Sequence, residues 1–302
     1  MKAMVIAQYG GPDVMEYKEV PEPSPGPDEV LVHVAAASIN PIDVKRRSGE
    51  AKAFLPISFP GIVGVDFSGT VVRFGANVKE FSAGDRVFGM ADQTYAERCV
   101  AKAESMAKIP AGIDPIDAAA IPLVTVTGNQ LITKGAAVQR GQSVLVSGAI
   151  GSVGRSAVFT AKSRGATVIA GVRKAQLDAA KALGANSEIA LDDPDAIAKL
   201  PMLDAVADAV NGATAKLLIG KVKTGGIFAS VLGPPQNGAD YPSVKVIPVY
   251  ARGDAKTLVE MAQAVIDGKL VIPIAAKIAL KDAAKGHEIV AKGVNGKVLL
   301  VV

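Results

Sequence analysis

Residues 144–158, VLVSGAIGSVGRSAV, join a short apolar run to three glycines spaced by three, after which an Ala-containing apolar stretch resumes. Such spacing turns a strand sharply into a helix and leaves backbone N–H groups facing outward, which is the chemistry of a pyrophosphate cradle. In a G-x-G-x-x-G loop the first glycine makes the turn, the second admits the pyrophosphate, and the third lets helix and strand touch. With the last two glycines set as Gly151 and Gly154, Ala149 occupies the first glycine's place and Gly148 stands just before it. Alone, the triplet reads equally well as a plain strand-to-helix turn. Its setting favours a dinucleotide: Val144, Leu145 and Val146 precede it, a helix is expected from Val153, and a second strand over residues 167–170 closes the unit. Gly148, Ala149, Ile150, Gly151, Ser152, Val153 and Gly154 are therefore the expected cofactor loop.

The end of the second strand selects the dinucleotide. An NAD site has Asp or Glu there to hold the ribose hydroxyls. In AGVRKAQ, Gly171 holds the acidic place and Arg173 and Lys174 follow. An acid would repel a 2′-phosphate, whereas a small residue with two cations accepts one, so the expected cofactor is NADPH. The bland alternative is a solvated basic pair opening a surface helix.

These residues need a scaffold. A chain of 302 residues is long for one core and suits two domains. Its first 120 or so residues read as short strands, among them 30–38, 69–75 and 85–90, parted by loops such as the proline-rich 21–29. From about Val124, apolar strands alternate with Ala-rich helical stretches, the pattern of a parallel sheet covered on both faces. After a helical stretch around 254–268 the tail returns to strand-rich texture. The expected fold is α/β: a β-rich domain over 1–122 and 269–302, interrupted by a doubly wound nucleotide domain over 123–268.

Composition narrows the classes. The net charge of +4 is spread along the chain and aromatics are only 4%, which argues against nucleic acid and for a phosphorylated small molecule. The one compact basic run is Lys45, Arg46 and Arg47. A single cysteine, Cys99, excludes an intrachain disulfide. No apolar run reaches the roughly 18 residues of a membrane span, and the opening MKAMVIAQYG lacks a signal-peptide core. The cytoplasm is the expected compartment.

MKAMVIAQYGGPDV, INPIDVKRRSG, PGIVGVDFSGTVVRFGANVKEFSAGDRVFG, the glycine loop and the closing GKVLLVV together resemble the medium-chain dehydrogenase/reductase superfamily from end to end. The resemblance implies a GroES-like catalytic domain interrupted by a Rossmann-like cofactor domain. Within the superfamily the chain looks like the zinc-free quinone oxidoreductases, which are zeta-crystallin-like, and their enone and alkenal reductase relatives. Zinc-dependent members place a cysteine three residues before an aspartate that is Asp43 here, and the matching residue is Asn40. Their histidine falls at Val65, between Gly64 and Asp66, and their third ligand falls at Leu123, four residues before Thr127 and Gly128. A catalytic zinc takes about three ligands from Cys, His or carboxylates. His33, His287 and Cys99 are scattered in sequence, and the four-cysteine structural lobe is missing, so no metal is expected.

Without a Lewis acid, the expected reaction is hydride transfer to quinones or to the conjugated C=C of α,β-unsaturated aldehydes and ketones. Asn40 is a candidate to contact the nicotinamide ribose or the acceptor, or alternatively caps the turn before Pro41. Lys45, where relatives carry a tyrosine, stabilises an enolate, binds cofactor phosphate, or is merely solvated. The resemblance adds Thr127, near the nicotinamide unless it caps the following helix. It also adds the strand ends Ala209, Val210 and Asn211 and Val231, Leu232 and Gly233, and Lys297 near the cleft. An enoyl-thioester reductase, with Arg46 and Arg47 along the carrier's path, is the near alternative. An NADPH-binding sensor or scaffold without turnover is the distant one. The strand expected in residues 244–252 has an exposed edge suited to a homodimer.

Overall fold

Strand β3 (Glu29–Ile39) is buried at nearly every position, Val30, Leu31, Val32, Val34, Ala36, Ala37 and Ile39 included, so it reads as an apolar run rather than an alternation. The computed structural model to which it belongs describes residues 1–302 and divides into two units. One is Met1–Leu123 with Arg252–Gly268 and Ile272–Val302, and the other is Val124–Ala251 with Lys269–Val271.

The first unit opens with β1 (Lys2–Ile6) and β2 (Met15–Glu19), which pair antiparallel. After β3 come α1 (Pro41–Ser48), β4 (Gly61–Ile62), β5 (Asp66–Phe74), β6 (Arg86–Met90), β7 (Arg98–Lys102) and β8 (Met106–Lys108). Register shifts in β3 opposite β5, between Leu31 and Val32 and between Val34 and Ala36, mark bulges that bend the strand. Its other edge therefore serves two partners, one of them β7, which pairs along Glu29, Val30, Leu31, Val32 and His33.

The second unit follows the expected alternation. After α2 (Pro122–Gln130) it runs β9 (Ser143–Ser147), α3 (Ser152–Ser163), β10 (Thr167–Val172), α4 (Leu177–Lys181), β11 (Ser187–Ala190), α5 (Pro194–Ala198), β12 (Leu203–Asp208), α6 (Gly212–Leu218), β13 (Val222–Ser230) and β14 (Lys245–Pro248). Its six strands are all parallel in the order β11-β10-β9-β12-β13-β14. The pleat sends Val144 and Val146 into one core, with Val168, Ala170, Ala205 and Ala207. Leu145 enters the core on the opposite face, with Ile169, Val206 and Phe228. The order reverses at β9, whose neighbours are β10 and β12, so a crevice opens at the carboxyl ends of these strands.

The chain then returns to the first unit. Sequence texture assigns residues 252–268 to the nucleotide domain, but α7 (Ala255–Ile266) groups with the first unit instead, packed against β8. It buries Leu258, Met261 and Ala262, and Asp254 caps it by accepting the Thr257 N–H at 3.1 Å. Next come β15 (Ile274–Ala279), α8 (Ala283–Ala291) and β16 (Lys297–Val301). β16 takes the remaining edge of β3, with Val298 opposite Ile39, so Lys297 lies at the point where β3 gives way to α1. No helix is long and apolar enough to cross a membrane.

Candidate active site

The glycine loop follows β9 at the crevice. Gly148 takes φ +65, a left-handed conformation that glycine adopts without steric cost, and it makes the tight turn. Ala149 is tolerated in the first glycine's nominal place because it points into the core, fully buried, with its N–H donated to Gly171 O at 3.1 Å. A Cβ on Gly154 would lie 2.2 Å from Gly148 O, so this third glycine is required by contact between the helix and the loop. Gly151 precedes α3 with no side-chain cap, which leaves the first-turn amides of Ser152, Val153 and Gly154 to bind an anion. The Arg155 guanidinium donates to Ile150 O at 2.8 Å and pins the loop. The cradle fits a dinucleotide pyrophosphate in shape and polarity.

Sequence reading did not single out the group that holds the neighbouring strand ends together. Asp208, fully buried, accepts from Ser147 Oγ and Ser230 Oγ at 2.7 Å each, and from the N–H groups of Val210 and Asn211 at 3.2 and 3.1 Å. The ends of β9, β12 and β13 are thereby fixed to one carboxylate. Its signal is a polar residue at the carboxyl end of each apolar strand, as in VLVS, DAVAD and IFAS. Asn211 sits at φ +61, ψ −158, a region nearly confined to glycine. Its side chain compensates by donating to Leu232 O at 2.9 Å and accepting from Gly212 N–H at 2.7 Å. The expected contacts Ala209, Val210, Asn211, Val231, Leu232 and Gly233 thus gather on one edge with the glycine loop. Val210 and Leu232 are 46% and 42% exposed there.

At the exit of β10, Arg173 and Lys174 are exposed, and neither side chain has an ion-pair partner. A Cβ at Gly171 would lie 2.6 Å from Leu191 Cδ1, so a larger residue there would require Leu191 to move. Thr127 lies inside α2, so it does not cap a following helix. At Gly128 the backbone of α2 meets α3, where a Cβ would fall 2.5 Å from Val153 O, and Thr127 is thereby set beside the first turn of α3.

Asn40, Lys45 and Lys297 belong to the first unit, where a buried polar network forms. Asn40, 1% exposed, stands at the N-cap of α1 but does not cap it with its side chain. Its Nδ2 lies 3.2 Å from Ser38 O and 3.3 Å from Asp66 Oδ2, and its Oδ1 accepts from Lys297 Nζ. Lys297 also donates to Ile39 O at 3.3 Å and is itself buried. Both residues offered as site contacts therefore spend their side chains inside the domain. Asp43 accepts the Asn40 N–H at 2.9 Å and the Tyr95 hydroxyl at 3.1 Å, while Ser38 Oγ donates to Asp66 at 2.8 Å. Burial, and after it the charge of Asp66, pushes the Asp43 carboxyl up to about 7. Burial also raises Asp66 and lowers Lys297, each opposed by the other's charge.

Lys45 is half-buried, and its ammonium makes no hydrogen bond or ion pair. Arg46 and Arg47 turn inward, with Arg46 Nη1 at 2.6 Å from Asp92. The basic run therefore presents one solvent-accessible cation rather than three. His33 is exposed on β3, Cys99 is buried in β7 and His287 is buried in α8 edge-on to Tyr95, so the three scattered candidates stay apart.

Two measurements check the site. Gly154→Ala, by forcing the loop off Gly148 O, is expected to weaken binding of a reduced nicotinamide dinucleotide by roughly tenfold or more, read from cofactor fluorescence. Unchanged affinity would remove the loop from the site. The second concerns Asp43. Below about pH 4, folded and unfolded chains both hold its proton and its contribution to stability is fully present. As pH rises towards about 7 the folded chain alone retains the proton, so this contribution is lost by at most about 1.4 kcal/mol per pH unit. Asp43→Asn, which keeps an acceptor for Asn40 and Tyr95, should flatten the fall in urea-unfolding free energy between about pH 4 and 7. An identical slope would assign the proton elsewhere.

Comparison with known proteins agrees with this architecture. The family model for the alcohol dehydrogenase GroES-like domain matches residues 26–201. The chain is 30% identical to the chloroplast envelope quinone oxidoreductase homolog of Arabidopsis thaliana, over 98% of this chain and 95% of that protein. It is 31% identical to the chloroplastic NADPH-dependent alkenal/one oxidoreductase of the same plant, over 77% of this chain and 63% of that one. The structure of the quinone oxidoreductase from Coxiella burnetii superposes with a TM-score of 0.87 at 30% identity, covering 100% of this chain and 99% of that chain. The chain belongs to the alcohol dehydrogenase GroES-like family, in the quinone oxidoreductase branch of the medium-chain dehydrogenases and reductases.

Proposed function

We propose that the protein is an NADPH-dependent, metal-independent oxidoreductase that reduces quinones or the conjugated C=C of α,β-unsaturated aldehydes and ketones. The observation that carries this reading is the donor set at the three positions where zinc-dependent relatives bind their metal. Asn40, Val65 and Leu123 offer an amide and two hydrocarbons, and the amide oxygen of Asn40 is already taken by Lys297. Lacking a Lewis acid, the protein needs an acceptor that delocalises its own negative charge, as a quinone or a conjugated carbonyl does. The names of the relatives from Arabidopsis thaliana and Coxiella burnetii support the same substrate class.

A reduced nicotinamide, when bound, supplies hydride. The chain's own residues have three further tasks. The amides of Ser152, Val153 and Gly154 hold the pyrophosphate, with Gly148, Ala149, Ile150 and Gly151 shaping the cradle. Arg173 and Lys174 attract a 2′-phosphate. Lys45, whose ammonium is unspent, donates to the anion formed on the acceptor. Arg46 and Arg47 are too buried to serve as a path for a carrier's phosphates, which leaves the enoyl-thioester reading without its basic residues.

The free outer edge of β14 and the 70%-exposed Tyr250 just beyond it support assembly as a homodimer. The cytoplasm is the compartment proposed with this reading.

NADPH oxidation should be fast with a quinone or an alkenal and slow with an enoyl thioester. Binding without turnover on any of the three would overturn the enzymatic reading. The double substitution Arg173→Ala with Lys174→Ala is expected to weaken NADPH binding roughly ten- to a hundredfold while changing NADH binding little. In light scattering the protein should have twice the chain's mass, and a species of single-chain mass would exclude the dimer.

A further inference from the structure

The strand beside β10 carries a charge that works against Arg173 and Lys174. β10 and β11 are parallel with Val172 opposite Ala190, and the ladder continues one step further through Leu191 N–H to Val172 O at 2.7 Å. Two residues past each strand, the register therefore sets Asp192 level with Lys174. There the Asp192 carboxylate accepts the Lys174 backbone N–H at 2.7 Å. Asp192 is exposed, and it forms no ion pair with either cation.

A backbone N–H just past the second strand, between two cationic side chains, is a natural donor to a 2′-phosphate. In this chain an internal anion already occupies it. A ribose 2′-hydroxyl can donate to that carboxylate, whereas a phosphate carrying up to two negative charges must displace it or lie against it. Leu191 fills the space beside Gly171 at the end of β10, and the next residue of the same segment supplies an acid just past the neighbouring strand.

We propose that Asp192 is a specificity-determining residue of the adenosine end of the cofactor site, holding down the preference for NADPH and giving NADH a hydrogen-bond acceptor. This rests on the reading of Arg173 and Lys174 as the 2′-phosphate contacts. Asp192→Asn keeps an oxygen to accept the Lys174 N–H and removes only the charge, so the loop conformation is retained.

The test measures NADPH and NADH dissociation constants of the full chain by reduced-nicotinamide fluorescence. Asp192→Asn should raise the preference for NADPH over NADH by roughly five- to tenfold. Asp195→Asn, a nearby charge change that leaves the Lys174 N–H untouched, should leave the preference unchanged. An unaltered preference in Asp192→Asn, or an equal rise in Asp195→Asn, overturns the assignment. The double substitution of Arg173 and Lys174, measured alongside, separates the two ideas. If it fails to weaken NADPH more than NADH, the underlying phosphate reading fails, whatever Asp192→Asn does.

Discussion

Asp208 is a buried carboxylate, and a buried carboxylate is tolerable only when its oxygens are met by donors. Two serine hydroxyls and two backbone amides meet them, and each donor belongs to the end of a strand or to the turn that follows. Because β9, β12 and β13 are adjacent, satisfying this one group fixes the edge where the glycine loop, the strained Asn211 and the turn after β13 must come together. The hydroxyl of Ser147 extends the same network by accepting the Ala209 N–H at 2.9 Å. The apolar sheet below supplies stability, and the carboxylate supplies alignment.

The first unit meets the same problem with a different balance. Two carboxylates, Asp43 and Asp66, share a dry region with one ammonium, Lys297, and Asn40 lies between them as donor to one side and acceptor to the other. One negative charge is left over, and the network relieves it by keeping a proton on Asp43 to unusually high pH. The inward turn of Asn40 follows from this arrangement. Its amide bridges charges that would otherwise be unsatisfied, and burying an uncompensated charge costs far more than giving up a surface contact.

Much of the second unit was legible because its signals are local. Apolar strands, Ala-rich helices and the spacing of Gly148, Gly151 and Gly154 each declare themselves within a few residues, and the unit folds as those signals predict. Ala149 departs from the glycine spacing because the turn is made one residue earlier, at Gly148. What stayed hidden depends on distant partners. Nothing in INPID says that Asn40 will meet Lys297, 257 residues away. Nothing in residues 252–268 says that α7 will pack on β8, since an amphipathic helix looks the same whichever sheet receives it. At Gly171 the sequence shows only smallness, and the packing of Leu191 beside it is visible only in the fold.

Residues 147–154 carry no formal charge, and the adjoining Arg155, half-buried, gives its Nε–H to the Ile150 carbonyl. The turn after β9 therefore attracts anions with oriented peptide dipoles and one half-buried cation, whereas the exit of β10 does so with the exposed, solvated ions of Arg173 and Lys174. Fixed dipoles in a partly enclosed turn are little affected by dissolved salt, but exposed charges are screened within about 8–10 Å at moderate ionic strength. One edge of one sheet thus holds two electrostatic regimes. Its grip at the glycine turn persists as salt rises, while its discrimination at the β10 exit fades.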